Sequence, residues 1–542
     1  MGMSNQVTLK KKKSLTAAGL KLSVLILASR ILGLIREMTK AAFLGTSSYA
    51  DAFGIAFLIP NLFRRLFAEN SISVAFIPTF RGYLENAEAS GSRSETQDFI
   101  SATFTLVSFL TAIFVTAGII FSPAIVSLFY NKTSFDVLPE TVLLTRIMFP
   151  YLFVISIAAF FQGILNGVNI FSPSGFTPVL FNAIVIAATY ILSPYTANPA
   201  RAMAIGVTAG GCIQALFQLP FVLKTGWRIS FSSLRKAFSN KGTRKVIALV
   251  GPTIIGMAAY QLNDIVSTAL AGKAGTGVVS SLQYSLRLQE LILGIFAVSI
   301  ASVILPDLSG MANRKDWDGF NKMLTQAVRI IILITIPVTF YSLVSGKEII
   351  SLVYKSKRFT DESVQLTLTA FRFHMAGMCF IALNRIISPA FYAQGNTKLP
   401  TLAGILGFAV NIVLASLLVK PLQGGGIAFA LSAASLANTV LLFVFLKRTP
   451  TIDVNSVVKS SLAYGLKLIL LSVIAAVPVY LARPYIIAFC AGHSRIISQG
   501  IPVAVTGLIF GTAGIVLLVL THDPIAAAAV RKISHRKPAR TE

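Results

Sequence analysis

Apolar residues run through this chain in long blocks separated by short polar connectors. Crossing the hydrocarbon of a bilayer as a helix takes about 20 predominantly apolar residues, and about fourteen blocks meet that length. The first six cover approximately residues 18–43, 53–83, 99–121, 142–168, 176–192 and 202–222. The next six cover approximately 246–271, 278–305, 323–344, 364–393, 399–419 and 427–446, and two more follow at 457–481 and 501–520. The second block is long and interrupted by Pro60, Asn70 and Pro78. The pattern predicts an all-α polytopic membrane protein. Spans of this number and length take roughly 340 positions and leave roughly 200 for loops and tails, too few to hide a soluble catalytic domain.

Two six-span lobes are expected within this series. The second span ends Ser73-Val-Ala-Phe-Ile-Pro78-Thr-Phe and the eighth ends Ala301-Ser-Val-Ile-Leu-Pro306-Asp-Leu. The two are offset by about 228 residues, and Asn166-Gly167 recurs as Gln394-Gly395 at the same offset. An even number of spans per repeat preserves orientation, so the lobes should be parallel repeats about a pseudo-two-fold along the membrane normal, with a substrate site at their shared interface. The expected organisation is an N-lobe over 1–223, a basic linker over 224–245, a C-lobe over 246–447, two further spans over 448–521 and a basic tail over 522–542.

Composition supports the bilayer. The chain is 55% hydrophobic and only 12% charged, with a mean hydropathy of +0.75, against about 25% charged residues in ordinary globular domains. Lys and Arg number 47 and Asp and Glu 20, giving a formal net charge of +27. In a soluble chain that excess would suggest nucleic acid. Here it is read as the positive-inside bias, aided by anionic phospholipids, with no nucleic-acid partner. About 25 basic residues fall on the side of the two termini and about 10 on the other, which places both termini in the cytoplasm. The clearest segment carries Lys224, Arg228, Arg235, Lys236, Lys241, Arg244 and Lys245 without one acid; Trp227 within it reads as an interfacial anchor or as part of a solvated connection. The opening Lys10–Lys13 and the apolar block after it resemble a signal peptide, but that block is long and contains Arg30 and Arg36, so a retained span is expected. Cys212, Cys379 and Cys490 are scattered, implying neither a disulfide framework nor a metal site, and His374 inside span ten is read as a helix-packing residue.

The chemistry lies in charges placed inside spans. Arg30, Arg36, Glu37 and Lys40 fall in span one, Arg64, Arg65 and Glu69 in span two, and Arg287 and Glu290 in span eight. A mid-bilayer arginine costs about 2.5–3.5 kcal/mol on insertion scales, so such groups must face protein or water, and spans one, two and eight are expected to line a hydrated cationic cavity. Adjacent helical residues point about 100° apart, so Arg64 is taken as the cavity residue and Arg65 as the partner of Glu69 at i+4. Arg287 and Glu290, at i+3, can pair with each other. Guanidinium groups suit an anionic substrate carrying phosphate or carboxylate, which they bind bidentately. Asp264 in span seven has no base within a turn of its own helix; with Asn263 and Gln261 it could hold Na+ or carry H+, or simply hydrogen-bond between helices. Lys467 in span thirteen is expected to snorkel or to meet a lipid phosphate. No Walker loop, HExxH, GxSxG or dinucleotide fingerprint is present, so a transporter without a cofactor is expected.

Ser29-Arg30-Ile-Leu-Gly-Leu-Ile-Arg36-Glu37, Asp51-Ala-Phe, Pro60-Asn61-Leu-Phe-Arg64-Arg65-Leu-Phe-Ala-Glu69 and Ala75-Phe-Ile-Pro78 closely resemble the MurJ (MviN) lipid II flippases of the multidrug/oligosaccharidyl-lipid/polysaccharide exporter superfamily. The likeness continues through Gly251-Pro252, Tyr284 to Glu290 and Leu305-Pro306. It implies fourteen helices, two six-helix lobes around a cavity and a last helix pair forming a groove for a polyprenyl tail. It also implies that undecaprenyl-pyrophosphate-linked disaccharide pentapeptide is flipped outward across the inner membrane for peptidoglycan synthesis. The family's cavity arginines fall on Arg30, Arg36, Arg64 and Arg287 and an acidic position on Asp51; Ser29, Asn61 and Glu290 join them as candidate substrate-binding residues. Two departures stand out. Tyr284-Ser285-Leu286-Arg287 replaces the common Tyr-Ala-Asp-Arg, removing an acidic partner beside the arginine, and Asn70 stands where relatives often carry glycine.

A flippase for another polyprenyl-linked oligosaccharide, a small-molecule antiporter of the same architecture, or a non-transporting scaffold for cell-wall proteins are the competing readings.

Overall fold

The computed structural model describes residues 24–69, 72–131, 136–449 and 452–525. Lys10–Lys13, Asn70 and the basic tail from Arg531 to Arg540 lie outside the described residues, as does the side chain of Glu69.

Every described regular element is helical. In hydrocarbon a backbone must satisfy its own hydrogen bonds, and uninterrupted apolar runs can do so only as helices. Helix α1 covers 24–44. Span two is composite: α2 (Ser48–Phe63), two π-helical segments (Arg64–Glu69 and Ile72–Phe76) and α3 (Ile77–Ser90). There follow α4 (Ser94–Ser127), α5 (Leu138–Gly167), α6 (Ser172–Leu192), α7 (Pro199–Lys224), the short α8 (Leu234–Ser239), α9 (Lys241–Ala274) and α10 (Val278–Asn313). The remainder is α11 (Trp317–Tyr354), α12 (Asp361–Tyr392), α13 (Lys398–Leu446), α14 (Val454–Cys490) and α15 (Ile501–Leu520). Nine helices among the described residues are long and apolar enough to cross a membrane, namely α4–α7 and α11–α15. Within α13, Gln423 leaves the helical region at φ 46°, ψ −127°, and divides it into the eleventh and twelfth predicted spans. The chain turns back there so tightly that a Cβ on Gly426 would collide with the Leu418 carbonyl.

The chain forms two compact units, residues 1–280 and 281–542. In the first, α5 is the central helix, packed by α2, α4 and α7, and α9 packs with α2, α4 and α8. Leu144, Met148 and Tyr151 of α5 bury against Phe53 and Ala56 of α2 and Met203 and Val207 of α7. A second cluster unites Phe76, Phe80, Phe99, Phe160 and Trp227. Gly118 lets α4 approach α5, since a Cβ there would enter the Phe149 ring. Pro123 has no N–H to offer the Ile119 carbonyl one turn back. The Ser122 hydroxyl donates to that oxygen at 2.8 Å and the Arg146 Nε at 3.3 Å, so an arginine inside span four is used to repair a proline break.

In the second unit α12 packs between α11 and α13, while α14 and α15 pack on α11. Their outer faces expose Leu462, Leu466, Leu470, Leu508 and Ile515. Large exposed apolar surface of this extent belongs against lipid.

Candidate functional site

In the first unit α1 presents its charges at successive levels. The Ser29 carbonyl accepts a bond from Asn182 Nδ2 of α6 at 3.2 Å, which fixes the helix beside an exposed Arg30. Two turns on, Arg36 Nη2 donates to Glu37 Oε1 at 2.7 Å, with its guanidinium 5.8 Å from the Phe181 ring centre. Both side chains of that pair are largely covered, so the pair holds its charge in a partly dry setting. Lys40 is buried, its ammonium 5.7 Å from the Phe53 ring centre.

Asp51 stands in the first turn of α2 and is 6% exposed. One carboxylate oxygen accepts the Gly277 amide at 2.6 Å and the other the Ser280 amide at 2.7 Å. These amides open α10, so Asp51 serves from a distant helix as its N-terminal cap. Gly277 has φ 82°, the left-handed region a residue with a Cβ resists, which allows the chain to turn its amide to the carboxylate.

At the junction of α2 with the π segment, Asn61 Oδ1 accepts from Arg64 Nε at 2.9 Å and orients the guanidinium. Arg65 Nη1 lies 3.5 Å from Asp264 Oδ2 on α9. The expected Arg65–Glu69 partnership falls on a side chain outside the described residues, and the Arg65 guanidinium also reaches an acid 199 positions away. Asp264 accordingly has a base beside it that its own helix does not supply. Asn263 is partly buried next to it.

In the second unit Arg287 Nη1 donates to Glu290 Oε2 at 2.9 Å, the i+3 partnership the spacing allowed. Glu290 thus supplies an acid to an arginine whose neighbour at 286 is leucine. Ser285, at the other altered position, bonds His374 Nδ1 of α12 at 2.6 Å, and the Gln289 amide donates to the His374 carbonyl. Both Ser285 and His374 are buried, so His374 packs α10 on α12.

Other intramembrane charges escaped the sequence reading. Arg483 of α14 donates twice to Glu348 Oε1 of α11, at 3.1 and 2.7 Å, with Glu348 only 5% exposed. Lys467 meets the buried Asp523 at 3.1 Å, and Tyr464 donates to the same carboxylate at 3.3 Å. Lys467 thus reaches an acid just past the end of α15. Arg495 caps the end of α11 by donating to the Leu352 and Lys355 carbonyls at 2.8 and 2.5 Å. Glu348 and Arg483 lie just beyond the apolar blocks 323–344 and 457–481, because each charge truncated the run it sits in. Gly346 beside the first edge and Pro484 beside the second also read as helix ends, yet both helices continue through them.

Residues 40–497 match the family model described as "MurJ: Lipid II flippase MurJ". A "Probable lipid II flippase MurJ" of Treponema pallidum is 51% identical over 527 residues, covering 97% of this chain and 99% of the relative. The protein of the same description from Vibrio cholerae is 33% identical over 447 residues, covering 81% and 83%. Among solved structures, "Lipid II flippase MurJ, inward closed conformation" aligns with a TM-score of 0.76 at 24% identity, covering 93% of this chain and 99% of that one. A structure described as "Inward-facing conformation of a multidrug resistance MATE family transporter of the MOP superfamily" aligns with a TM-score of 0.63 at 15% identity, covering 80% of this chain and 96% of that one.

Proposed function

Because the chain belongs to the lipid II flippase MurJ family, we infer that it carries lipid II, the undecaprenyl-pyrophosphate-linked peptidoglycan precursor, from the cytoplasmic to the outer leaflet. It is a multi-pass protein of the bacterial inner membrane, and both termini are proposed to face the cytoplasm. The observation that carries the reading is the placement of Arg30, Arg36, Arg64 and Arg287 on helices built from apolar runs. Guanidinium groups in low dielectric are the side chains best suited to a pyrophosphate, because they stay charged and bind its oxygens in pairs. Asn61 orients Arg64, while Glu37 and Glu290 steady Arg36 and Arg287. Several contacts of moderate strength suit a carrier that must release its cargo, since a ligand moves a conformational equilibrium only by its difference in affinity between states.

Alternating access is the proposed transport mode, with α14 and α15 lying along the polyprenyl tail. Asp51 contributes by fixing the start of α10, the helix that bears Arg287. Ser29 contributes a backbone anchor for α1. Asp264, with Asn263, is the proposed coupling site for Na+ or H+, with Arg65 as its resident counter-charge that an incoming cation would displace. Anionic phospholipids and other cell-wall synthesis proteins are further proposed partners.

Complementation in cells depleted of their own lipid II flippase tests the reading, comparing wild type with Arg30→Ala, Arg64→Ala and Arg287→Ala at matched membrane abundance. Rescue by wild type alone, with inward-facing lipid II accumulating in the variants, is the expected result. A well-expressed wild type that fails to rescue would move the assignment to another lipid-linked sugar; full rescue by all three variants would remove the arginines from the site.

A further inference from the structure

The segment between α7 and α9 is more than a connection. It lies along α4 as a strap: the Gln97 carboxamide bonds both the Arg228 amide and carbonyl, Ser101 bonds Ser230 at 2.9 Å, and Thr105 accepts the Ser232 amide at 2.8 Å. Ala237 of α8 then buries against Ala102 and Leu106. The Phe231 ring packs on Phe104 at 4.9 Å, and Phe238 meets Phe109 edge to face at 6.5 Å. From Gln97 to Phe109 the strap follows α4 for about 18 Å at 1.5 Å per residue. α4 is a membrane-crossing helix by length and apolarity, so the strap enters the depth of the lipid boundary.

Its outer surface has two characters. Phe231, Leu234 and Phe238 are 70%, 41% and 44% exposed. They continue the exposed apolar row of α4, Phe109, Leu110 and Ile113, without a polar break at the Phe238–Phe109 contact. Beside them Arg235, Lys236, Lys241 and Lys245 are exposed, and no acid occurs anywhere in 224–245. A water-facing connection gains nothing from three exposed large apolar groups. An element seated at the acyl–headgroup boundary, with apolar groups in the chains and cations reaching the phosphates, accounts for both.

We propose that residues 228–245 form a binding site for an anionic phospholipid headgroup, with Phe231, Leu234 and Phe238 seated among the acyl chains and Arg235, Lys236, Lys241 and Lys245 on the phosphate. The site stands apart from the residues assigned to the transported lipid. It would seat the first unit on the anionic leaflet through α4 and α8.

The test uses the purified full chain in detergent micelles, titrated with phosphatidylglycerol or phosphatidylcholine and read by native mass spectrometry. Wild type should take up phosphatidylglycerol in preference. The variant R235Q/K236Q/K241Q/K245Q should bind it roughly tenfold more weakly or worse, a loss of at least about 1.4 kcal/mol, with phosphatidylcholine uptake unchanged. Phe231→Ser with Phe238→Ser should weaken both lipids. The docking contacts on α4 are retained in the cation variants; if the fourfold change nevertheless unfolds the chain, K236Q/K241Q should show about half the effect on a logarithmic scale. Equal affinity of wild type for the two lipids, unchanged phosphatidylglycerol binding in the cation variants, or displacement of the lipid by millimolar inorganic phosphate would each overturn the proposal.

Discussion

Asp51→Ala gives the sharpest test of the reasoning, because it removes one side chain and leaves two named amides without an acceptor. Gly277 N and Ser280 N donate to its two oxygens at 2.6 and 2.7 Å in a buried setting. A hydrogen bond to a charged group contributes about 1.5–3 kcal/mol net. Water entering the vacated volume recovers part of two such bonds, so local opening at the start of α10 should become easier by about 3 kcal/mol, roughly 150-fold. Asp51→Asn keeps one acceptor but turns an NH2 toward the second amide, and should give about half of that on the free-energy scale. Hydrogen exchange followed by mass spectrometry, on a peptide covering residues 275–282 in detergent micelles, reads the effect directly. A peptide from α7, which makes no hydrogen bond to Asp51, is the internal control. Unchanged protection at Gly277 and Ser280 in Asp51→Ala would refute the capping role and return Asp51 to the list of direct substrate contacts.

Arg483→Ala leaves the Glu348 carboxylate buried without its guanidinium, and should lower stability by about 3–5 kcal/mol, seen as a lower apparent Tm in micelles; E348Q/R483M should recover most of it. Arg65 and Asp264 are 38% and 39% exposed, so a double-mutant cycle should give a coupling below about 1 kcal/mol. Asp264→Asn should nonetheless abolish any dependence of transport on sodium or on proton gradient; an intact dependence would take the coupling ion elsewhere. Gly377→Val should destabilise the contact of α12 with α13 by about 1–3 kcal/mol, because its Cβ would overlap Ser432, and a variant that matched wild-type resistance to heat would show that the helices can separate at no cost.

The charges placed inside spans were legible early. Arg30, Arg36, Arg64 and Arg287 were conspicuous because a cation inside an apolar run is costly wherever the run is placed. Arg287 found Glu290 as the i+3 spacing allowed, since that pair needs only the helix that both residues share. Glu348 and Arg483 were not legible, because two charges that neutralise each other across helices each read, singly, as the end of a span. The partner of Lys467 was out of view for the same reason, Asp523 lying just past the end of α15.

The order of apolar and charged residues was enough to establish that the chain is a bundle of membrane helices, where most of those helices begin and end, and which charges need an explanation. Those properties follow from composition along a single segment and from the requirement that a backbone in lipid satisfy itself. The long-range partners came from folding alone: Arg65 with Asp264, Asp51 with the amides of Gly277 and Ser280, Glu348 with Arg483, and the strap of α8 with α4. Each of these depends on the rotation and axial register of two helices far apart in sequence. Packing sets both, through small residues such as Gly118 and Gly377 and bulky ones such as Phe149, and no window along one helix contains that information.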